Sequence, residues 1–349
     1  MTLERDDVRS VFQAMLGRPP ESEDVVEHFR AVPAVADLVR ILSESGEFQA
    51  RVGAAPAPAP SPFVFYNRAF DGEALVLRHV DGARAAAPGM RVNSFGVKVP
   101  EKVIPRAIVQ HVPEVEASPI PSNWHADTAE FAAVLRAVEL SGETFTMLEL
   151  GCGWGCWMNI SGVVARRAGK TARLVGVEGD RFNFGLAEEA LAANGFTADD
   201  FTLHHGIAHA ASGTAAFPQQ QAGEDTWGLA PVFSTDEAAY AAAIGTGRYT
   251  ELPMIAFDAL AAEHGRFDLV HIDIQGGERD LVAAGIEALT RTAAYVVVGT
   301  HGRDIEGEVM RTFAAAGWTL EVERPAILDV PSREVTVDGV QGWRNPALV

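Results

Sequence analysis

Five titratable side chains stand where apolar runs of the sequence end, and their chemistry suits a reaction centre. They are Glu149, Glu178, His205, Asp273 and His301. Carboxylates and imidazoles can remove protons, accept hydrogen bonds from hydroxyl groups and bind cations. Because the carboxyl ends of the strands of an α/β sheet meet at one crevice, we expect these groups to converge there. Several titratable groups in one crevice favour a catalytic site over isolated structural histidines.

A glycine-rich loop connects the first two of these positions. The apolar run 146–150 leads into Gly151-Cys152-Gly153-Trp154-Gly155, and a second apolar run ends at Glu178. Glycines allow a tight turn and bring backbone N–H groups close to a ligand, and an acid about 20 residues further on can bind a ribose diol. The order of strand, loop, helix, strand and acid predicts a cofactor that contains a nucleoside. Dinucleotide and adenosyl cofactors both satisfy this pattern.

Alternating apolar runs and helical patterns extend this unit into a doubly wound α/β fold. Helices are predicted at 127–140, 181–194 and 304–316, with a further helix after Gly277. The remaining strands are predicted at 201–205, 267–272, 295–298, 318–323 and 334–340.

Two motifs resemble those of known methyltransferases. Glu149-Leu150-Gly151-Cys152-Gly153-Trp154-Gly155 resembles the first motif of the class I S-adenosylmethionine-dependent methyltransferases. Residues 267–282 are similar to the signature of the FkbM family of O-methyltransferases, roughly D-L-x-K-I-D-V-E-G-x-E. Asp273 and Glu278 are retained, whereas His271 replaces the family lysine and Gln275 the mid-motif glutamate. The resemblance covers about residues 120–325.

The resemblance implies the class I methyltransferase sheet, mostly parallel with seven strands and an antiparallel last strand. It also implies S-adenosylmethionine as cofactor, with Glu178 on the ribose, the glycine loop around the methionine portion and 206–208 beside the adenine. The residues expected to bind it are Glu149, Gly151, Cys152, Gly153, Trp154, Gly155, Glu178, Gly206, Ile207 and Ala208.

An acceptor hydroxyl must be activated before it can attack a methyl group, and two mechanisms satisfy this need. In the first, His301 or His125 removes the proton while Asp273 orients the hydroxyl or the base. In the second, Asp273 and His301 hold a divalent cation that acidifies the bound hydroxyl. Related methyltransferases that act on vicinal diols carry metal-binding acids at these two strand ends. Thr300-His301 stands where the second acid is expected, so we prefer the base mechanism.

Composition divides the chain into four segments. Residues 1–52 form a helical module, 53–62 a Pro/Ala linker, 63–120 an extension that closes over the site, and 121–349 the catalytic domain. The module resembles a short helical domain of unknown function found beside glycan-modifying enzymes, and we interpret it as a packing or docking appendage for a partner. Within the extension, 74–77 and 97–99 could be strands.

One connection is longer than usual. The length of the connection 206–250 predicts a functional insertion, in which residues 225–229 face the substrate.

Charge and composition limit the partners that the protein can have. The formal net charge of −19 argues against nucleic acid, whose binding depends on Lys and Arg. No apolar run approaches the roughly 20 residues of a membrane span, and the N-terminus lacks the pattern of a signal peptide, so we expect a cytoplasmic protein. Cys152 and Cys156, the only cysteines, are expected to be packing residues rather than a disulfide or metal pair.

The sequence therefore predicts an O-methyltransferase, and the resemblance suggests a sugar hydroxyl of a bacterial glycan or glycosylated metabolite as acceptor. One alternative is an NAD-dependent oxidoreductase, which is disfavoured because Cys156 stands at the third glycine of G-x-G-x-x-G. A second is a non-catalytic adaptor that scaffolds a glycan-assembly complex through residues 1–52. Whether the protein forms a homo-oligomer stays open.

Overall fold

The structure is a computed structural model that describes residues 3–48, 69–220, 228–332 and 334–349. It divides into two compact units, Met1–Pro60 and Ser61–Val349. In the first, the helices α1 (Arg5–Leu16), α2 (Glu23–Arg30) and α3 (Val35–Ser43) pack around a small apolar core that includes Val8, Phe12 and Leu38. The predicted linker 53–62 lies outside the described residues. Three helices in this segment are what its periodicity predicts.

The second unit contains the remaining elements. Its helices are α4 (Gly72–Arg78), α5 (Thr128–Leu140), α6 (Cys156–Arg167), α7 (Arg181–Ala193), α8 (Glu237–Gly245), α9 (Phe257–His264), α10 (Glu278–Thr292) and α11 (Arg303–Ala315). Its strands are β1 (Met90–Val92), β2 (Lys98–Pro100), β3 (Thr144–Leu150), β4 (Thr171–Glu178), β5 (Phe201–His205), β6 (Ile207–His209), β7 (Gly213–Pro218), β8 (Val232–Phe233), β9 (Tyr249–Ala256), β10 (Leu269–Ile272), β11 (Tyr295–Thr300), β12 (Thr319–Arg324), β13 (Ile327–Leu328), β14 (Val335–Val337) and β15 (Gly339–Arg344).

Seven strands of the described chain form the main sheet, in the spatial order β12-β15-β11-β10-β3-β4-β5. Neighbouring strands from β11 to β5 run parallel, while the last strand, β15, is antiparallel to both β11 and β12. The chain leaves β3 towards β4 and β5 on one side and reaches β10 and β11 on the other. The order of the strands therefore reverses between β3 and β10. This confirms the predicted doubly wound sheet with its antiparallel last strand.

Apolar side chains cover both faces of this sheet. Helices α5 and α6 contribute Leu135 and Trp157 to the core on one face, and α10 and α11 contribute Val282 and Phe313 on the other. All residues of β10 and β11 are buried, which explains their unbroken apolar runs. Burial of each large apolar side chain contributes about 1.5–3 kcal/mol, so this core fixes the strand ends from which the polar residues project.

Two segments differ from the sequence-based expectation, and the predicted insertion contains secondary structure. Residues 74–77 lie in helix α4, not in a strand, because Asp71 caps the helix through the Ala74 N–H at 3.0 Å. The predicted strand 334–340 is two strands: β14 pairs with β13 in a separate ribbon, and the chain joins the main sheet only from Gly339. The insertion 206–250 contains most of a four-stranded sheet of described residues, ordered β6-β9-β7-β8, together with helix α8.

Candidate active site

A cavity of about 910 Å³ lies beyond the carboxyl ends of β3, β4 and β10. This is the point where the strand order reverses, which is where open α/β sheets bind their ligands. Its wall includes the glycine loop after β3, Glu178 after β4 and Asp273 after β10. From the predicted extension 63–120, Pro105 alone of the described residues lines the cavity. Phe95, Val97 and Val99 of the extension are buried in the core and do not line the cavity.

The glycine loop is held in place by its neighbours. The backbone N–H groups of Gly151 and Cys152 both donate to the carbonyl oxygen of Val177, each at 3.0 Å. Gly151 has a φ of 76°, and a Cβ atom there would overlap the backbone carbonyl oxygen of Asp273. The turn therefore needs glycine for its conformation and for the close approach of the two loops.

Glu149 supports the helix that follows the loop. Its carboxylate accepts hydrogen bonds from the N–H groups of Trp157 at 3.2 Å and Met158 at 2.8 Å, in the first turn of α6. Burial raises the pKa of Glu149 to about 7, against the opposing effects of His271 and of these two donors. Glu149 lines the cavity, but its hydrogen bonds show that it also fixes the start of α6.

Glu178 joins the loop to the end of β4. Its oxygens accept from the N–H of Gly153 at 2.7 Å and from the N–H of Asp180 at 2.6 Å. Burial raises the pKa of Glu178 to about 7, although both backbone donors oppose this shift. Each carboxylate oxygen can accept a further hydrogen bond on its cavity side.

Most of the other residues predicted to bind cofactor line the same cavity. Cys152, Gly153, Trp154, Gly206, Ile207 and Ala208 line the cavity. Gly155 is not in the wall; it precedes α6 in a left-handed conformation with a φ of 75°. Cys152 and Cys156 are both buried free thiols.

His301 contacts Asp273, which lines the cavity, but is itself absent from the described cavity wall. Its Nδ1 is 2.9 Å from Glu278 Oε1, and its Nε2 is 3.4 Å from Asp273 Oδ1. Asp338 Oδ2 lies 3.8 Å from the same Nε2. His301 is thus not among the residues of the described cavity wall, and its direct contact with the substrate stays a prediction.

These contacts set the charges of the pair. Burial alone would lower the pKa of His301, but the hydrogen bond to Glu278 and the charges of Asp273, Glu278 and Asp338 raise it to about 9. Burial raises the pKa of Asp273 to about 6, opposed by His301 and His271. At neutral pH the pair is therefore an imidazolium beside a carboxylate, and the carboxylate is the member that can accept a proton.

His125 lines the cavity among aromatic rings. Its ring centroid lies 5.9 Å from that of Trp157 and 6.3 Å from that of Trp154, and Cys156 Sγ is 3.6 Å from its Nδ1. Burial lowers the pKa of His125 to about 4, and the charge of Glu130 opposes this shift. The ring is uncharged near neutral pH and is a weak base.

Two further ion pairs line the cavity, and motif analysis does not single them out. His271 Nε2 is 3.0 Å from Glu130 Oε1, while its buried Nδ1 has no hydrogen-bond partner. Burial lowers the pKa of His271, but the hydrogen bond and charge of Glu130 outweigh it and the net shift is upward. Arg324 pairs with Asp127, and both side chains are buried. The sequence feature that could have pointed to the first of these pairs is His271, which stands where the FkbM signature has a lysine.

The Asp273–His301 pair has a geometry that also suits a divalent cation. Ligand atoms of Asp273, Glu278 and His301 all lie within 4.8 Å of one another. The buried His301 Nε2 has no hydrogen-bond partner, and Glu278 holds the opposite ring nitrogen, as carboxylates do for metal-binding histidines. A divalent cation held by Asp273 and His301 stays a prediction.

Known proteins were compared with this chain. No family model matches it. A protein of Jannaschia sp. (strain CCS1) named "Putative methyltransferase" is 39% identical over 266 residues, which cover 75% of this chain and 95% of that protein.

Solved structures resemble it less. Methyltransferase FkbM from Methylobacillus flagellatus KT has a TM-score of 0.38 at 13% identity, covering 62% of this chain and 54% of that one. The N-terminal domain of human METTL16 in complex with SAH has a TM-score of 0.35 at 13% identity, covering 63% of this chain and 71% of that one. No helix in the described part of the chain has the length and apolar character needed to cross a membrane.

Proposed function

The chain belongs to the methyltransferase family of its Jannaschia relative, and we propose that it transfers a methyl group from S-adenosylmethionine to a hydroxyl of a sugar, as part of a glycan or of a glycosylated metabolite. The observation that carries this proposal is the convergence of the glycine loop, Glu178 and Asp273 on one cavity. The FkbM resemblance of residues 267–282 supports an oxygen acceptor. An NAD-dependent oxidoreductase and a non-catalytic adaptor are the alternatives to be tested.

The residues of the cavity suit S-adenosylmethionine. Glu178 can accept hydrogen bonds from the ribose hydroxyls, and the backbone from Gly151 to Gly155 can surround the methionine portion. Ile207 and Ala208, both buried and both in the cavity wall, would border the adenine. When bound, the cofactor supplies an electrophilic methyl group on a positively charged sulfur.

Asp273 is the residue we propose as the base. Its carboxylate lines the cavity and is ionised at neutral pH, so it can take the proton of the acceptor hydroxyl as the oxygen bonds to the methyl carbon and the carbon–sulfur bond breaks. His301 then acts as a positively charged partner that Glu278 orients. This reverses the roles given to the two residues by sequence reasoning, and it leaves His125 as a part of the acceptor wall.

A divalent cation is the alternative means of activation. Asp273 and His301 would hold it, and it would lower the pKa of a bound hydroxyl. Chelation separates the two mechanisms: activity that survives EDTA supports Asp273 as the base, whereas loss of activity that Mg²⁺ or Mn²⁺ restores supports the cation.

The chemistry of the wall supports an uncharged polyol as acceptor. Trp124, Trp154 and Trp157 offer aromatic surface against which a sugar ring could pack. Carboxylates predominate among the charged lining residues that the structure describes, and Arg324 is paired with Asp127. The acidic lining residues are Asp127, Glu130, Glu149, Glu178, Asp273, Asp280 and Asp338. Such a wall would repel a phosphorylated acceptor.

The test is transfer of label from methyl-labelled S-adenosylmethionine to a panel of neutral glycosides, their phosphorylated counterparts and matched amines. We expect label on a hydroxyl oxygen of a neutral glycoside, and labelling that is slower by roughly 10²–10⁴-fold with the Asp273→Asn variant. Transfer to the amines alone would contradict the O-methyltransferase proposal, and preferred labelling of phosphorylated sugars would contradict the acceptor class.

A further inference from the structure

A second cluster of metal-binding side chains lies outside the cavity. His204 is in β5, and Glu263 and His264 end helix α9. The two histidine Nε2 atoms are 3.1 Å apart, and Glu263 Oε1 is 3.6 Å from His264 Nε2. One ligand atom from each residue lies within 4.8 Å of the other two. None of the three residues belongs to the described cavity wall.

The distance between the imidazoles restricts what can lie between them. At 3.1 Å, the facing nitrogens can share one proton or direct two lone pairs at a cation, but they cannot both carry a proton without repulsion. Two Zn–N bonds of about 2.0–2.1 Å at a tetrahedral angle place their nitrogens about 3.3 Å apart. The observed separation is therefore close to that of two histidines on one zinc ion, and Glu263 adds a carboxylate oxygen.

The surroundings also favour a cation. The His264 side chain is 14% exposed and that of Glu263 is 59% exposed, so water can reach the site. Burial lowers the pKa of His264; the charge of Glu263 opposes this shift and His204 adds to it. The site lies at the C-terminal end of α9, where the helix dipole attracts positive charge.

We propose that His204, Glu263 and His264 form a binding site for a divalent transition-metal cation of the zinc type, separate from the cavity. The ion takes one nitrogen from each histidine and one oxygen from Glu263, and water completes four-coordination. Since His204 is in the edge strand of the main sheet and the other two ligands are in α9, the ion links these two elements. It therefore stabilises the fold and takes no part in methyl transfer.

Isothermal titration of ZnCl₂ into EDTA-treated, dialysed, tag-free protein tests this site. We expect one ion to bind the wild type, and the His204→Ala and His264→Ala variants to bind it at least about 100-fold more weakly, since even second-shell changes cost about 10–100-fold. The matched control is His111→Ala, which removes an exposed histidine that is distant from the cluster in sequence. This variant should leave the zinc affinity unchanged.

The Asp273–His301 pair is a competing place for zinc, so the titration is repeated in a His301→Gln background. Zinc affinity that persists there and disappears on adding His264→Ala supports the proposal. Affinity that disappears with His301→Gln and survives His264→Ala overturns it, as does equal affinity in the His264→Ala and His111→Ala variants. If either alanine variant fails to fold, Glu263→Gln, which keeps both imidazoles, must still weaken zinc binding and reduce the rise in Tm that zinc causes in the wild type.

Discussion

The charge of an active-site residue depends on neighbours that the local sequence does not reveal. His301 follows an apolar strand in the way expected of a catalytic base, yet Glu278, Asp273 and Asp338 raise its pKa to about 9. The burial of Asp273 raises its pKa to about 6 and makes it the better proton acceptor. The sequence was sufficient to predict that both residues meet, but their roles follow from contacts made by Glu278 and Asp338.

The first prediction separates the base from its partner. With EDTA present, Asp273→Asn should lower kcat by roughly 10²–10⁴-fold, because no carboxylate remains to take the proton. His301→Gln should have a smaller effect and move the acidic limb of the pH–rate profile upward, since a positive charge that lowers the pKa of Asp273 is lost. Full activity of Asp273→Asn, or an unchanged profile in His301→Gln, would contradict these roles.

The same pair predicts a pH dependence of stability. A histidine whose folded pKa is raised from 6.5 to about 9 stabilises the fold fully below pH 6.5, and this contribution is lost as the pH rises through 9. In EDTA, the free energy of unfolding should fall by on the order of 1–3 kcal/mol between pH 6.5 and 9.5. Denaturant titrations of the wild type and His301→Gln measure it, and an equal fall in both proteins would assign the effect to other groups.

At the scale of single elements, the strands and helices around the cavity were predictable because their apolar patterns are regular. The fold departs from expectation where capping or a close approach decides instead. Asp71 caps α4, and a Cβ atom at Gly339, the first residue of β15, would overlap Thr300 and Glu306. Asp71 directly precedes α4 and belongs to the local sequence pattern, whereas Thr300 and Glu306 are distant from Gly339 in sequence and do not.

Because the glycine loop contacts the end of β10, one methyl group added to the loop should lower the free energy of unfolding. Gly151→Ala should lower stability by at least about 2 kcal/mol, from the left-handed conformation and from overlap with the Asp273 carbonyl. Gly185→Ala is the matched control, because this glycine lies in α7 with open space around its Cβ position. This variant should be more stable than the wild type by about 0.5–1 kcal/mol. Thermal unfolding of both variants is the measurement. A stable Gly151→Ala protein would show that the two loops are not in contact.

At the scale of the whole molecule, the described residues that line the cavity all belong to the unit Ser61–Val349. The unit Met1–Pro60 has its own apolar core and contributes none of them. We therefore propose, as the sequence suggests, that the N-terminal module is a docking appendage and not part of the chemistry.

A protein shortened to Ser61–Val349 should keep its circular dichroism spectrum and bind S-adenosylmethionine as tightly as the full chain. Calorimetry on both proteins measures this. Loss of binding in a folded, monodisperse shortened protein would show that the module takes part in the site.

The central claim is that the cavity binds S-adenosylmethionine through Glu178, and calorimetry tests it most directly. The wild type should bind S-adenosylmethionine and S-adenosylhomocysteine but not NAD. Glu178→Ala should weaken binding by roughly 1–3 kcal/mol, because charge-assisted hydrogen bonds to the ribose are lost. The control Glu188→Ala, which removes an exposed carboxylate from α7, should leave affinity unchanged. Binding of NAD instead, binding of none of the three, or equal affinity in Glu178→Ala and the wild type would contradict the claim.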